Sequence, residues 1–320
     1  MVTGAHGHHH ALRVSAGVLR FSLVANVGLL VVQVVGAEAF ESLALLADAG
    51  HQGSDVVALL VAVVAQAVAA RGPNDDYTFG LRRVEVLGAL VNAVLLLAAA
   101  AWVVVEAVHR LGEPPVVAGW GVATLGVAGL VVNGGCAWLL HRTGDRSHNI
   151  RGAALHLIGD AVGSLGVVIA GTAVAIGGPD WIDAMVALPI AALLVWTGAE
   201  LVRRTTRILL EGTPAGVELD ELIEVISSHE RVVDVHHLHV WSVDSTTVAL
   251  SAHAVVDVET LHEAQLVAGE VERLLADHGV VHATLAVECH PCADDHPEGG
   301  EEVSGTPPGA GNGDGLVQKS

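Results

Sequence analysis

The chain has 320 residues, 52% of them hydrophobic, and a formal net charge of −20 from 15 Lys and Arg against 35 Asp and Glu. So apolar a composition excludes an ordinary soluble domain and makes the lipid bilayer an expected partner. So acidic a balance excludes nucleic acid, whose recognition needs a basic footprint, and an acidic chain with 19 histidines suits cations instead.

The first 14 residues form a tail whose Ala-His-Gly-His-His-His tract, residues 5–10, reads either as a metal collector or as a solvated end. Met1 to Leu12 hold no Lys or Arg, and no small-residue cleavage site follows a short apolar core. The first apolar run is therefore read as a retained span rather than a signal peptide. Six apolar stretches follow, at about 15–37, 42–69, 83–107, 116–140, 152–177 and 181–203, each near the roughly 20 residues that a hydrocarbon core requires. Pro114-Pro115 and Gly177-Gly178-Pro179 punctuate the short connections.

Arginines set the expected orientation. Arg13 and Arg20 open the first span; Arg71, Arg82 and Arg83 lie between spans two and three; Arg142, Arg146 and Arg151 lie between spans four and five; Arg203, Arg204 and Arg207 follow span six. The other connections carry only Arg110. By the positive-inside rule this is a multi-pass protein of the cell (inner) membrane with both termini in the cytoplasm.

Two motifs break the apolar runs. His51 and Asp55 stand four residues apart in span two, and His156 and Asp160 repeat the spacing in span five. In a helix such a pair shares one face. Two helices face to face then offer two nitrogens and two oxygens, a tetrahedral set suited to zinc. On the expected topology both pairs lie roughly 10–13 Å from a span end at 1.5 Å per residue, so near the same depth. Of the histidines, only these two fall well inside the spans. Ionisable groups at that depth default to a functional reading. Asp48, one turn before His51, either shapes a release path, orients His51, or is a carboxylate at the head of the helix. Asn26, Asn92 and Asn133 are expected to bond between helices.

Beyond Pro214 the pattern changes. Residues 217–229 read as an amphipathic helix, 232–242 and 246–256 as strands around Val243-Asp244-Ser245, 259–278 as a helix ended by Gly279, and 281–289 as a third strand. The divisions are thus a tail at 1–14, a membrane domain at 15–212, a small α/β domain at 213–292, and a Gly-, Pro- and acid-rich tail at 293–320 expected to be disordered.

The stretches Glu41 to Asp55, Tyr77-Thr78-Phe79-Gly80 with Arg83 and Glu85, His156 to Asp160, Leu209 to Pro214 and Val235 to Trp241 resemble, in order, those of the cation diffusion facilitator family of zinc-type cation/proton antiporters. The resemblance implies an α-helical integral membrane protein with six transmembrane helices, a C-terminal α/β ferredoxin-like cytoplasmic domain, a homodimer, and His51, Asp55, His156 and Asp160 as the transport site. It also implies a regulatory zinc site from His236, His253, Glu288 and His290. Strand alternation, however, places His237 and His239 on one face and His236 on the other. Cys289 and Cys292 either add thiolates to that site or form a redox pair lacking a thioredoxin context. Arg83 and Glu211 form either a charge interlock near the dimer interface or a plain surface pair. The loop between spans two and three lacks the histidine that some relatives use for a second metal, and Asp183-Ala184 replaces the family's frequent Asp-Pro.

Zinc requires neutral imidazole and ionised carboxylate, so it competes with protons for one set of ligands, and a histidine of ordinary pKa, ~6.5, exchanges the two near neutral pH. The expected activity is export of Zn²⁺ from the cytoplasm against protons, with Co²⁺ or Cd²⁺ also accepted by two nitrogens and two oxygens. The alternative is a metal-sensing membrane receptor without transport, although no output domain follows span six. An enzyme is not expected: neither pair is His-Glu-x-x-His, and four protein ligands leave no open position for water.

Overall fold

A computed structural model describes residues 5–69, 71–142 and 148–290. The tail at 293–320, Cys292 and Arg146 lie outside them, as do the side chains of the His-rich tract. Six long helices come first: α1 (Ala5–Ala39), α2 (Leu43–Ala69), α3 (Arg83–Gly112), α4 (Gly119–Arg142), α5 (His148–Ala175) and α6 (Trp181–Leu209). They are followed by α7 (Leu219–Ser227), β1 (Val232–Ser242), β2 (Val248–Val256), α8 (Leu261–Asp277) and β3 (Val280–Glu288). α1 runs back through the His-rich tract, where only Gly7 weakens helix, so it starts ahead of the expected span. Among the described residues α1, α3, α4, α5 and α6 each hold a stretch long and apolar enough to cross a membrane. α2 carries Asp48, His51, Gln52, Ser54 and Asp55 within its apolar run.

The chain divides into two compact units, Met1–Val64 with Gly88–Arg203, and Ala65–Leu87 with Arg204–Ser320. In the first, α4 and α5 approach backbone to backbone. A Cβ on Gly119 would stand 2.5 Å from the Ala175 nitrogen and 2.6 Å from the Gly171 oxygen, and one on Gly171 would stand 2.4 Å from the Ala123 nitrogen. Lipid offers helices no hydrophobic drive to associate, so close packing through small residues holds them together. The connections α1–α2, α3–α4 and α5–α6 meet at one end: the Ala118 amide donates to the Phe40 carbonyl (3.1 Å), and the Val117 amide to Asp180 Oδ1 (3.0 Å). The alternating up-and-down course read from the sequence requires this meeting.

In the second unit β1 pairs antiparallel with β2, and β2 pairs parallel with β3 through the α8 crossover, in the order β1-β2-β3. One sheet face packs on α7 and α8 through Val235, Leu238, Leu250, Ile226, Val271 and Leu275. α8 opens with a reciprocal cap between Thr260 and Glu263 and ends before Gly279, whose φ of +86° suits a residue without Cβ. Asp244 shapes the β1–β2 turn. Although burial pushes its carboxyl up, hydrogen bonds from the amides and hydroxyls of Thr246 and Thr247 outweigh that and hold it below its ordinary value. A carboxyl with a lowered folded pKa adds stability above its unfolded value and loses it as the pH falls through the folded one.

Gly119→Val should lower the thermal midpoint or prevent assembly, a cost of about 2 kcal/mol or more for overpacking against backbone. Gly134→Ala on the same helix, where an added Cβ meets nothing within 4 Å, should be neutral. Thermal unfolding in detergent compares the two.

Candidate metal centres

His51 and Asp55 lie one turn apart on α2, and His156 and Asp160 one turn apart on α5. The pairs meet crosswise. His51 Nε2 is 3.4 Å from Asp160 Oδ1, and His156 Nε2 is 3.1 Å from Asp55 Oδ2 and 3.7 Å from Asp160 Oδ2. Crossing of this kind is what antiparallel helices produce, since the first residue of each pair then faces the last of the other. Gly163 continues the register, because a Cβ there would stand 3.0 Å from Asp48 Oδ1. One donor atom from each of the four residues lies within 4.8 Å of all the others. A tetrahedron with bonds of about 2.0–2.1 Å has edges of about 3.3–3.4 Å, and the three contacts of 3.1, 3.4 and 3.7 Å lie close to that. The imidazoles stand edge to face, 5.9 Å between centroids.

Two further features favour a ligand there. Among the described residues His51 Nδ1 and, apart from its 3.4 Å approach to His51 Nε2, Asp160 Oδ1 are buried with no hydrogen-bond partner, which is costly unless another species satisfies the group. Access is also graded. The side chains of His156 and Asp55 are 46% and 38% exposed, that of His51 21%, and that of Asp160 only 4%. The cluster opens at its His156–Asp55 side and closes toward Asp48. Asp48 itself is buried, accepting from Gln33 Nε2 (2.9 Å) on α1 and Ser164 Oγ (3.2 Å) on α5 rather than orienting His51 by a hydrogen bond. Asn92 bonds between helices as expected, to the Ser54 carbonyl and hydroxyl of α2. Asn26 instead bonds within α1, to the Ser22 carbonyl. Asn133 is buried, and its side chain meets no partner among the described residues.

The second cluster lies on the sheet of the second unit. His236 Nε2 is 3.4 Å from Glu288 Oε2, and His253 Nδ1 is 2.6 Å from Glu288 Oε1. These three form a convergent group among the described residues, and His290 lies just past β3, exposed. His236 is buried, and among the described residues neither ring nitrogen makes a well-formed hydrogen bond, Nδ1 standing 3.4 Å from Asp234 Oδ2 and Nε2 3.4 Å from Glu288 Oε2. The facing expected from alternation is corrected. His237 has φ +49°, and the β1–β2 register slips between His236 and His239. This bulge shifts the phase, so that Val235 and then Leu238 enter the core. The His237 ring therefore stands 5.2 Å from that of His236 and 5.0 Å from that of His253. A pocket on this side, about 280 Å³, is lined by His237, His239 and His253 together. Alternation alone could not show His237 joining the group; its two adjacent histidines were the only trace in the sequence. Gln33 and Ser164 were also missed, although each is a polar residue within an apolar span. Arg83 pairs with Glu211 at 3.0 Å, but both side chains are well exposed, so the pair is weak taken alone.

The profile of the cation efflux transmembrane domain matches residues 19–210, and that of the cation efflux protein cytoplasmic domain matches residues 214–290. The chain is 36% identical over 285 residues to a cadmium, cobalt and zinc/H(+)-K(+) antiporter of Bacillus subtilis, covering 88% of this chain and 92% of that one. It is 34% identical over 296 residues to the zinc transporter ZitB of Escherichia coli K12, covering 90% and 94%. It is 33% identical over 275 residues to the metal cation efflux system protein CzcD of Cupriavidus metallidurans, covering 86% and 87%.

Cobalt(II) titrated into the purified protein should bind at about two ions per chain, one per cluster, with the intense visible absorption of four-coordinate ligation at the helical one. His156→Ala should remove one class of binding and His253→Ala the other.

Proposed function

The chain belongs to the cation efflux family, whose members are metal-cation transporters and not enzymes, and from that premise we propose that it exports Zn²⁺ from the cytoplasm in exchange for protons at His51, Asp55, His156 and Asp160. The observation that carries the proposal is the crosswise meeting of the two pairs at the spacing of a tetrahedral shell. Two carboxylates balance the charge of a divalent ion, and two imidazoles supply nitrogen donors that zinc prefers to water. Metal enters from the exposed His156–Asp55 side, which is the arginine-rich and therefore cytoplasmic end of α2 and α5. It leaves past Asp48 once the helices rearrange. Protons arriving from outside take the same ligands, displace the metal and return with them, so one set of residues couples both fluxes. The names of the relatives support Cd²⁺ and Co²⁺ as further cargo.

The group of His236, His253 and Glu288, with His290, serves on this reading as a regulatory zinc site in the cytoplasm. A homodimer is the assembly that the match to the family's cytoplasmic domain supports.

In proteoliposomes with an imposed pH gradient, zinc added on the His156–Asp55 side should drive proton counterflow. Acidifying that side should slow zinc uptake, because protons then hold the ligands, and acidifying the opposite side should speed it. Asp160→Ala should abolish the flux. Wild-type flux in that variant would refute the site, and the absence of flux in the wild-type protein would leave the metal-sensing receptor.

A further inference from the structure

α2 carries half of the transmembrane quartet, and the first turn of a helix leaves backbone amides without partners inside the helix. At the head of α2 those amides are satisfied from another helix. Asp183, in the first turn of α6 and 2% exposed, accepts from the Leu43 amide (2.5 Å) and the Ala44 amide (3.2 Å) through Oδ2 and from the Ser42 hydroxyl (2.6 Å) through Oδ1. Ser42 Oγ in turn accepts from the Leu45 amide (3.1 Å). One carboxylate and one hydroxyl thus cap three successive amides, and the negative charge rests at the positive end of the α2 dipole.

The same turn is held from α3. Arg110 Nη1 donates to the Glu41 carbonyl (2.8 Å), while its Nε holds Glu106 Oε1 (2.7 Å). Glu41 has φ +56°, a conformation that a residue with a side chain keeps only when its surroundings enforce it. The Ala118 amide closes on the preceding Phe40 carbonyl. α2 is therefore seated by α6 on its amides and by α3 on its entering chain, and its head cannot slide along its axis without breaking both. His51 lies eight residues on, about 12 Å down a helix rising 1.5 Å per residue.

We propose that Asp183, which touches none of the four metal-binding candidates, is a positioning residue for the quartet. By capping α2 from α6, it sets the depth at which His51 and Asp55 meet His156 and Asp160. This rests on the quartet being the transport site. A shift of α2 by a fraction of a turn would carry His51 and Asp55 off the crosswise register together, because both ride on one rigid helix.

The test compares wild type, Asp183→Ala, Asp183→Asn and Ser42→Ala in proteoliposomes, measuring zinc KM, kcat and thermal midpoint for each. Asp183→Ala should raise the zinc KM by about tenfold or more, as loss of an outer support of a metal ligand does, in protein that remains folded at the assay temperature. Asp183→Asn keeps one acceptor oxygen and should recover part of the loss. Ser42→Ala, which spares the amides of Leu43 and Ala44, should show a smaller rise in the same direction. A lowered thermal midpoint with wild-type KM in the folded variants would overturn the proposal and leave Asp183 a stabilising cap only. Should Asp183→Ala fail to fold, the KM values of Asp183→Asn and Ser42→Ala decide in the same way. Absence of zinc flux in the wild-type protein would count against the transport reading itself, so the two failures are distinguishable.

Discussion

An ionisable side chain near the middle of a hydrocarbon layer costs about 2.5–3.5 kcal/mol on insertion scales unless a partner shares its charge. The crosswise pairing of His51 with Asp160 and of His156 with Asp55 is how this chain meets that constraint. Each imidazole finds a carboxylate on the facing helix, and His156 also approaches Asp160, the one a turn away on its own. Yet the pairing stays incomplete, since among the described residues a nitrogen of His51 and an oxygen of Asp160 remain buried without a hydrogen bond. A site that satisfied itself fully would have little affinity left for a cation.

Much of the first unit can be understood as holding α2 and α5 in that register. α5 is fastened to α4 where glycines let backbones touch, at Gly119 and Gly171. α2 is fastened at its head by Asp183 and beside the quartet by Asn92 on α3, which bonds Ser54 next to Asp55. The bare Cα of Gly163 leaves room for the Asp48 carboxylate, and Gln33 and Ser164 supply the donors that let that carboxylate stay buried. None of these supports reaches the quartet by a hydrogen bond; they act by fixing helices.

The sheet of the second unit solves a related problem by other means. Its apolar face is covered by α7 and α8, and its histidines gather on the opposite side. The gathering depends on one left-handed residue, His237, which shifts the phase of β1 between Val235 and Leu238. Without the bulge, three of the histidines in the Val235 to Val240 stretch would be split between the core and the open face.

The sequence by itself determined the class of the protein and singled out four residues that the structure brings together. Apolar runs of membrane length, arginines at alternate connections and two i, i+4 His–Asp pairs are local patterns, and helical periodicity converts each into a direction. Helix and strand boundaries between residues 217 and 289 were legible for the same reason, Gly279 among them. Only the tertiary structure decided what depends on residues far apart in the chain. It showed that Asp183 caps a helix that begins 140 positions earlier, that Asp48 bonds α1 and α5, and that His237 stands with His236 and His253. A cap supplied by another helix has no local signature, and neither does a bulge whose residue is not glycine. Both follow from how elements press on one another, which no window of sequence contains.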